Sequence, residues 1–514
     1  MKTYYITTPI YYVNDVPHIG HAYASLACDV LARFKRLDGY EVMFLTGTDE
    51  HGQKVAKSAA AAGVDPQTFT DKVSQNFRDL TKACNLSNDD FIRTTEERHK
   101  KACQVLWNTL LERGDIYSGK YAGWYAVRDE AYYGEDELQD VGGKKIAPSG
   151  AECEWVEEPS YFFKLSAWGD RLLKFYEENP DFILPHTRRN EVISFVKSGM
   201  RDLSVSRTAI TWGVPVPNEP KHVMYVWLDA LTNYLTGIGY PDTQANSYKK
   251  FWPADLHMVG KDILRFHAVY WPAFLMAADL PPPKRVFATG WWTNEGQKIS
   301  KSLGNVIDPY ELIRTYGLDQ TRYFLLREMP FGNDGDFSRE SMIRRINSDL
   351  ANGIGNLAQR TLSMIAKNAG AKVPVCGALT ESDEALLGAA QALLDTVRKE
   401  LDIQAFHKAL DGIWSVIAQA DRYIDEQAPW ALKKTDLARM ETVLYVLAEV
   451  LRHLALLLQP FMPDQAGALL DQLAVPAHER SFIHLGDKAY ALKSSTALPT
   501  PQGLFPRYVE EPQA

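Results

Sequence analysis

The sequence lacks the features that mark membrane, secreted and disulfide-rich proteins. No apolar run in its 514 residues approaches the ~20 needed for a membrane-spanning helix. Residues 1–12 have neither the basic start and cleavage site of a secretory signal nor an Arg-rich amphipathic presequence. The five cysteines are widely separated and form no C-x-x-C pair, which argues against a zinc knuckle or a disulfide framework. These absences predict a cytoplasmic protein without membrane attachment.

The chain also lacks an excess of basic residues. Its formal net charge is −9, so any nucleic-acid partner would have to be bound by a local basic surface. Hydrophobic residues make up 46% and charged residues 24%, which is typical of a globular protein. A chain of 514 residues is too long for one hydrophobic core, so we expect several domains.

The first fifty residues show a strand–helix–strand pattern. Residues 2–13 are rich in β-branched and aromatic types, apolar residues then recur with a 3.6-residue period from Ile19 to near Gly39, and residues 41–46 are again strand-like. This βαβ unit predicts an α/β fold with a Rossmann-like, doubly wound parallel sheet.

The rest of the chain divides by composition. Residues 114–220 mix short aromatic strands with Gly-rich and acidic loops, and the α/β pattern returns afterwards; helical periodicity then dominates. We predict these segments: sheet domain, first half, 1–113; insertion, 114–220; sheet domain, second half, 221–295; a polar-loop region, 296–340; an all-α helical bundle, 341–475; and a tail, 476–514.

Two short motifs carry candidate chemistry. His18-Ile19-Gly20-His21 opens the first helix, where backbone N–H groups, the helix dipole and two imidazoles suit phosphate. Lys298-Ile299-Ser300-Lys301-Ser302 lies in a polar stretch and could clamp a polyphosphate. Taken singly, each has a plainer interpretation: a capped helix with incidental histidines, and a solvated surface loop.

Together the two motifs resemble the signature pair of class I aminoacyl-tRNA synthetases. The first matches without departure, and in the second Ile299 replaces the usual methionine with a side chain of similar volume. No P-loop competes for ATP, and the G-x-G-x-x-A at Gly353 follows no predicted strand. Further segments resemble the methionyl-tRNA synthetase family in order and spacing: TPIYYVNDVPHIGHA, FLTGTDEHGQK, YVWLDALTNY, VGKDILRFHAVYWPA and DEQAPW.

The resemblance implies a methionine pocket. Its residues would be Ile10, Tyr12, Trp227, Ala230, Leu231, Tyr234, Ile263 and His267, with Asp49 holding the ammonium group. The spacing of the four residues from Trp227 to Tyr234 also places them on one helix face, which without the resemblance we would interpret as core. Leu231 departs from relatives that have proline at this position.

The resemblance also implies a reaction. L-methionine would attack the α-phosphorus of Mg²⁺-bound ATP, giving methionyl-adenylate and pyrophosphate, and would then pass to the 3′ end of tRNA. His18, His21, Lys298 and Lys301 would be the catalytic residues, and Gly20, Gly260, Asp262, Ser300 and Ser302 would bind ATP. No covalent protein nucleophile is required, because positioning and charge stabilisation suffice.

The partner implied is tRNA(Met), initiator and elongator, in translation initiation and elongation. Asn356, Arg360, Pro429 and Trp430 resemble the readers of the CAU anticodon, so residues 341–475 would be an anticodon-binding domain and 296–340 would contain the KISKS loop and a stem-contact region. The connective insertion lacks the paired cysteines that often bind zinc in this family, so we expect no structural zinc. The chain ends soon after the bundle, without an appended dimerisation domain, so we expect a monomer.

Three alternatives remain open. A synthetase for cysteine is disfavoured by the missing cysteine pairs, and one for leucine, isoleucine or valine by an insertion too short for editing. An adenylyltransferase with a similar HxGH-type sheet would leave the helical bundle without a role. An RNA-binding paralogue without catalysis is opposed by both signatures being intact apart from Ile299.

Overall fold

The computed structural model describes residues 1–13, 16–129, 131–299 and 303–510. The chain begins with the strand–helix–strand order that the sequence pattern predicts, and further helices and a strand follow up to residue 112. These elements are β1 (Thr3–Tyr12), α1 (Ile19–Leu37), β2 (Glu41–Asp49), α2 (Gln53–Ala61), α3 (Pro66–Ala83), β3 (Asp90–Arg93) and α4 (Glu97–Glu112).

Short strands dominate the next hundred residues, where aromatic residues alternate with turn formers. The elements are β4 (Ile116–Ala126), β5 (Ala131–Tyr133), β6 (Gln139–Val141), β7 (Lys144–Ile146), β8 (Glu152–Phe163), α5 (Gly169–Glu178), β9 (Ile183–Leu184), α6 (His186–Lys197), β10 (Leu203–Ser204), β11 (Ser206–Arg207) and β12 (Val223–Met224). The α/β pattern returns with α7 (Val226–Thr236), α8 (Asn246–Phe251), β13 (Leu256–Gly260), α9 (Trp271–Ala277) and β14 (Val286–Thr289).

A small sheet and two helices lead into the helical part of the chain. They are β15 (Trp292–Asn294), β16 (Gln297–Lys298), α10 (Pro309–Tyr316), α11 (Leu318–Arg327) and β17 (Gly335–Phe337). The helices that follow are α12 (Arg339–Arg344), a π-helical stretch (Arg345–Gly355), α13 (Asn356–Asn368), α14 (Glu381–Asp402), α15 (Phe406–Gln427), α16 (Pro429–Leu432), α17 (Leu437–Leu458) and α18 (Pro463–Gln472). The predicted helical region is confirmed.

The chain divides into two compact units. The sheet unit comprises the described residues of Thr3–Pro17 and Val42–Thr289, and the helical unit those of Met1–Lys2, His18–Glu41 and Gly290–Ala514. None of the helices in the described ranges combines the length and the apolar character needed to cross a membrane.

The main sheet of the sheet unit has the strand order β3–β2–β1–β13–β14–β9. The pairs β1/β13, β13/β14, β14/β9 and β2/β3 are parallel. An order that grows outward from β1 in both directions is the doubly wound arrangement, so the Rossmann-like prediction is confirmed. The edge strand β9 comes from residues that the sequence placed within the 114–220 insertion. A second, antiparallel sheet in the order β5–β4–β8–β7–β6 forms the body of that insertion.

In the helical unit, α14 packs against α15 and α17. Nearly every residue of α17 from Met440 to Leu458 is buried; most are apolar, and the buried Glu449 and Arg452 form an ion pair with each other. Helix α1 is attached by a fully buried ion pair in which Arg322 Nη2 donates to Asp29 Oδ2 over 2.7 Å, while Arg322 Nε donates to the Phe461 carbonyl. These contacts fix α1, and with it the motif at its start.

Candidate functional site

The two histidines of the first motif cap helix α1 together. The Gly20 N–H donates to His18 Nδ1 over 3.1 Å, and the His18 N–H donates to His21 Nδ1 over 3.0 Å. The two ring centroids are 3.9 Å apart. A neutral imidazole whose Nδ1 accepts a hydrogen bond carries its proton on Nε2. The capping arrangement therefore makes both Nε2 atoms hydrogen-bond donors.

Desolvation keeps His21 neutral. Burial of the ring, and then the nearby His18, hold the pKa of His21 well below its ordinary value. Gly20 permits this packing, because a Cβ added there would lie 3.0 Å from His18 Cε1.

The backbone at the start of α1 differs from the expectation of free N–H groups. The Ile19 N–H donates to the Ile307 carbonyl over 3.1 Å, and the Gly20 N–H is used by His18. The first two donors of the helix are thus occupied within the helical unit. The predicted phosphate contact would therefore have to come from the imidazole Nε2 atoms rather than from these two N–H groups.

Lys298 ends a β-hairpin formed by β15 and β16. Thr293 pairs with Lys298, and the turn residues Glu295 and Gly296 both have positive φ. Asn305 is hydrogen-bonded to both strands of this hairpin. Its Nδ2 donates to the Lys298 carbonyl over 3.0 Å, and its own carbonyl accepts from Asn294 Nδ2. The predicted residues Ser300, Lys301 and Ser302 lie outside the described residues.

Helix α7 brings most of the predicted pocket residues together in the sheet unit. Leu231 and Tyr234 are buried in its hydrophobic core, and Ile10, Trp227 and Ile263 pack against the same core while partly exposed. The Trp227 ring stacks on Phe266, with centroids 3.6 Å apart and planes 16° from parallel. Ala230 on the same helix is buried. This face of α7 therefore contributes to the hydrophobic core through Leu231 and Tyr234, and to a partly exposed aromatic surface through Trp227.

A chain of neutral donors and acceptors lies behind Tyr234. His267 Nδ1 donates to the Ile263 carbonyl over 3.0 Å, which leaves Nε2 to accept the Tyr234 hydroxyl at 2.7 Å. His257 stacks on the Tyr234 ring at 4.1 Å between centroids. Burial lowers the pKa of His267 to about 4, and burial together with His267 holds the pKa of His257 well below its ordinary value. Both rings are uncharged near neutral pH, which suits an apolar ligand.

The remaining predicted pocket and nucleotide residues lie at strand ends, as ligand-binding residues of α/β sheets do. Asp49 ends β2 and is 8% exposed. Tyr12 ends β1 but packs against a separate cluster with Tyr11 and Phe77. Gly260 ends β13, where a Cβ would approach Asp262 Oδ1 to 2.5 Å.

The predicted anticodon residues converge on one surface of the helical unit. Ala428, with φ 44°, lies between α15 and α16 and places Pro429 and Trp430 beside α13. The Arg360 guanidinium lies 5.4 Å from the Trp430 ring centroid and pairs with Asp425 over 2.6 Å. Asn356 is exposed one turn earlier on α13, and Trp430 is 41% exposed. An amide, a guanidinium and an open aromatic face are therefore available at one place.

Several residues of the sheet unit escaped the sequence analysis. His257 and Phe266 support Tyr234 and Trp227, and Asp229 on α7 is bonded by both His51 and His99. The available signal was the presence of histidine and aspartate within otherwise apolar strands and helices. Such residues require a buried polar partner, but the sequence does not identify it.

The doubly wound parallel sheet and the family models identify a class I aminoacyl-tRNA synthetase. A family model described as "tRNA synthetases class I (M)" matches residues 4–362, and one described as "Anticodon binding domain of methionyl tRNA ligase" matches residues 373–514. The chain belongs to the methionine–tRNA ligase family.

Full-length relatives agree with this assignment. The chain is 60% identical over 507 residues to the methionine–tRNA ligase of Rhizobium meliloti (strain 1021), covering 98% of each chain. It is 60% identical over 517 residues to that of Rickettsia bellii (strain RML369-C), covering 99% of this chain and 100% of the relative. The structure of Mycobacterium tuberculosis methionyl-tRNA synthetase with methionyl-adenylate superposes with a TM-score of 0.96 at 54% identity, covering 99% and 100% of the two chains.

Proposed function

We propose that this chain activates L-methionine with ATP, giving methionyl-adenylate and pyrophosphate, and then esterifies the amino acid to the 3′ end of tRNA(Met). The observation that carries the proposal is the Tyr234–His267 pair within an aromatic and aliphatic surface of helix α7. A polarizable thioether is favoured by such surroundings. The match to the methionyl-adenylate complex supports the same substrate and the use of ATP.

The amino-acid roles follow from the chemistry of each side chain. Trp227 and Phe266 offer a stacked aromatic face, and Ile10, Ala230, Leu231 and Ile263 offer aliphatic contacts. The Tyr234 hydroxyl, oriented by His267, gives the pocket a fixed dipole without net charge. Asp49 supplies the carboxylate for the α-ammonium group. Tyr12 would contribute through its ring, although that ring packs against the separate cluster that contains Tyr11 and Phe77.

The nucleotide roles rest on hydrogen-bond donors and cations. His18 and His21 would donate from Nε2 to the phosphate oxygens of ATP, which enters with Mg²⁺ as its substrate complex. Lys298 and Lys301 would neutralise the departing pyrophosphate, with Ser300 and Ser302 as further donors. Gly20 allows close approach, and Gly260 and Asp262 would contact the adenosine ribose.

The second step requires tRNA recognition. Trp430 would stack on an unpaired anticodon base, while Asn356 and Arg360 would hydrogen-bond to base edges and Pro429 would orient the tryptophan. Initiator and elongator tRNA(Met) share the CAU anticodon, so both are proposed partners, in translation initiation and elongation.

Further properties are proposed from the sequence. Cys153 is the only cysteine in the 114–220 insertion and is buried against Ala126, Ala147 and Ala151, which supports a form without structural zinc. We propose a cytoplasmic monomer with the segment boundaries given above. Light scattering on the purified chain would measure the oligomeric state directly.

Aminoacylation of two tRNA transcripts tests the proposed function. One transcript carries the tRNA(Met) sequence with the CAU anticodon, and the other differs only in those three nucleotides. We expect radiolabelled methionine to be esterified to the first and at most weakly to the second. Methionine transfer that ignores the anticodon, or no transfer to either, would overturn the tRNA part of the proposal.

A further inference from the structure

The proposed ammonium ligand Asp49 is followed in the chain by two residues, Glu50 and His51, that are each held by hydrogen bonds to charged side chains. Glu50 is fully buried and accepts hydrogen bonds from Arg93 Nε at 2.7 Å and Nη2 at 3.0 Å, and from the hydroxyls of Thr48 and Thr95. Its backbone N–H donates to Thr94 Oγ1 over 2.9 Å. The peptide on the C-terminal side of Asp49 is therefore fixed.

His51, on the other side of Glu50, is held by a second set of contacts. Its Nδ1 donates to Asp229 Oδ2 over 2.6 Å, and the other carboxylate oxygen accepts from His99 Nε2 over 2.8 Å. His99 Nδ1 lies 3.1 Å from Thr236 Oγ1. Trp212 covers the assembly, because its ring meets His51 edge-on at 5.3 Å and its Nε1 donates to the Glu50 carbonyl.

Asp229 is ionised in this assembly despite its burial. Burial alone would raise its pKa, but His51 and His99 outweigh that effect and hold the pKa of Asp229 well below its ordinary value. Because each oxygen of the Asp229 carboxylate accepts a hydrogen bond from one imidazole, the orientation of the carboxylate is fixed. Removal of one imidazole would leave a buried oxygen without its hydrogen bond.

The location of Asp229 connects this assembly to substrate binding. Asp229 is on α7, the helix that carries Trp227 and Tyr234, whereas His51 follows the strand that ends in Asp49. The His51–Asp229 bond thus joins the element proposed to bind the ammonium group to the element proposed to bind the thioether. In a well-oriented active site, a displacement of about 1 Å is enough to lower the reaction rate roughly 100-fold.

We propose that Glu50, His51, Asp229 and His99 are positioning residues that fix the Asp49 carboxylate relative to helix α7, and so set the length of amino acid that the pocket accepts. The inference rests on the proposed function, because it takes Asp49 as the ammonium ligand. The residues touch no substrate atom in this role; they act through Asp49 and α7.

A metal ion is the other chemistry that this cluster could suggest. Ligand atoms of His99, Cys103 and Asp229 lie within 4.8 Å of one another. Burial and the Asp229 charge, however, raise the pKa of the Cys103 thiol well above its ordinary value, which favours the protonated form that binds metals poorly. The imidazole nitrogens of His99 are also already placed against Thr236 and Asp229.

Calorimetric titration of the full chain with two ligands tests the proposal. The ligands are L-methionine and 4-(methylthio)butanoate, which has the thioether but no ammonium group. In Asp229→Asn, the amide has only one oxygen, so either the His51 or the His99 N–H faces an amide nitrogen that cannot accept it. One of the two hydrogen bonds is therefore lost. We expect methionine affinity to fall about tenfold, the size expected for one charged hydrogen bond, while affinity for the deaminated ligand and the KM for ATP stay unchanged.

Matched variants separate positioning from simple stability. In His51→Asn the side-chain amide takes the place of Nδ1, so this variant should keep the methionine affinity of the wild type. His51→Ala removes the donor and should bind methionine more weakly. If Asp229→Asn fails to fold, these two variants provide the test. Cys103→Ala should bind both ligands as the wild type does. Equal loss of both ligands in Asp229→Asn and His51→Ala would overturn the proposal. A lower melting temperature with unchanged methionine affinity in Asp229→Asn and His51→Ala would also overturn it. So would a Cys103→Ala variant that binds methionine more weakly and loses a metal ion that the wild type holds in stoichiometric amount.

The failure of the underlying function would look different. If Asp49→Asn leaves methionine affinity unchanged, Asp49 is not the ammonium ligand and the proposed function of that residue fails. If Asp49→Asn weakens methionine binding but Asp229→Asn does not, the positioning inference alone fails. When both hold, the double variant should bind methionine no more weakly than Asp49→Asn, because the two changes remove the same interaction.

Discussion

At the scale of single residues, the hydrogen bonds behind Tyr234 determine which protonation state its neighbours adopt. His267 donates from Nδ1 to a carbonyl and accepts the Tyr234 hydroxyl at Nε2, an arrangement that only the neutral ring can make. The proposed pocket would therefore include a Tyr234 hydroxyl of fixed orientation and an uncharged His267 ring. A charged ring at the same position would draw water into an apolar pocket and favour anionic ligands.

The pKa of His267 gives the first prediction. Because burial lowers it to about 4, the ring stays neutral from pH 8 down to about 5.5, whereas an exposed histidine titrates near pH 6.5. Proton–carbon NMR of the histidine Cε1–H groups measures this, with the His267→Gln variant to assign the resonance. We expect its chemical shift to be flat over that range. A titration midpoint near 6.5 would show that the ring exchanges with solvent and that the proposed donor–acceptor chain is wrong.

Lys301 gives a second prediction, from the sequence alone. Lys301→Ala should lower the rate of adenylate formation by roughly 100- to 1000-fold, the loss seen when one group that stabilises transition-state charge is removed. Methionine affinity should stay nearly unchanged, because a lysine that acts on pyrophosphate does not contact the amino acid. Stopped-flow measurement of both quantities provides the test. A fall in methionine affinity as large as the fall in rate would contradict the assigned role.

Residues that belong to a local sequence pattern were easier to predict than residues whose role depends on a contact with a distant part of the chain. Trp227, Ala230, Leu231 and Tyr234 were predicted from the family resemblance, and their spacing places them on one helix face, which the structure shows as part of α7. His257 was missed because its role depends on contact with Tyr234 from a different element, and such a contact has no local signature.

At the scale of elements, helix starts differ in what they can offer a ligand. The sequence predicts that α1 has a free, positive N-terminus, whereas the first two N–H groups are occupied by Ile307 and His18. This occupation depends on a residue nearly three hundred positions away, so it could not be predicted locally. A phosphate contact at this helix start, which stays a prediction, would involve the imidazole Nε2 atoms rather than the first two N–H groups. Strand β9 illustrates the same limit, since two residues are too few for a sequence pattern.

The surface formed by α13 and α16 gives the third prediction. Trp430→Ala should reduce charging of tRNA(Met), measured as kcat/KM, by roughly 5- to 150-fold, the equivalent of one lost base–aromatic stack of ~1–3 kcal/mol. Adenylate formation should be unaffected, because Trp430 belongs to the helical unit, whereas the proposed methionine-binding residues of α7 belong to the sheet unit. Kinetic assays of the two steps on the same preparation provide the measurement.

Trp430→Phe is the matched control for this prediction. A phenyl ring keeps a stacking face, so we expect charging to be partly retained. Equal loss of adenylation and charging in Trp430→Ala would indicate a general structural defect and would count against a role in anticodon binding.

At the scale of the whole molecule, the sequence predicted which types of element occur but not how strands are ordered. The βαβ start indicates a parallel sheet, and the helical period after residue 338 indicates a bundle; both are confirmed. The order β3–β2–β1–β13–β14–β9 joins strands that are up to 250 residues apart in the chain, and no local sequence pattern specifies which strands pair.

The net charge of the whole molecule fits with local rather than global recognition of RNA. A chain with a formal charge of −9 has no overall attraction for nucleic acid, so under the proposed function tRNA would be selected at local contacts such as Arg360 beside Trp430. Phosphate contacts would add affinity without specificity.

Amino-acid-dependent ATP–pyrophosphate exchange, measured on the purified chain without tRNA and across all twenty amino acids, tests the central claim most directly. The proposed pocket and phosphate-binding residues predict exchange with methionine and with no other amino acid. Exchange that depends on a different amino acid would keep the class I assignment and contradict the pocket. No exchange with any amino acid, even after tRNA is added, would contradict catalysis by this chain.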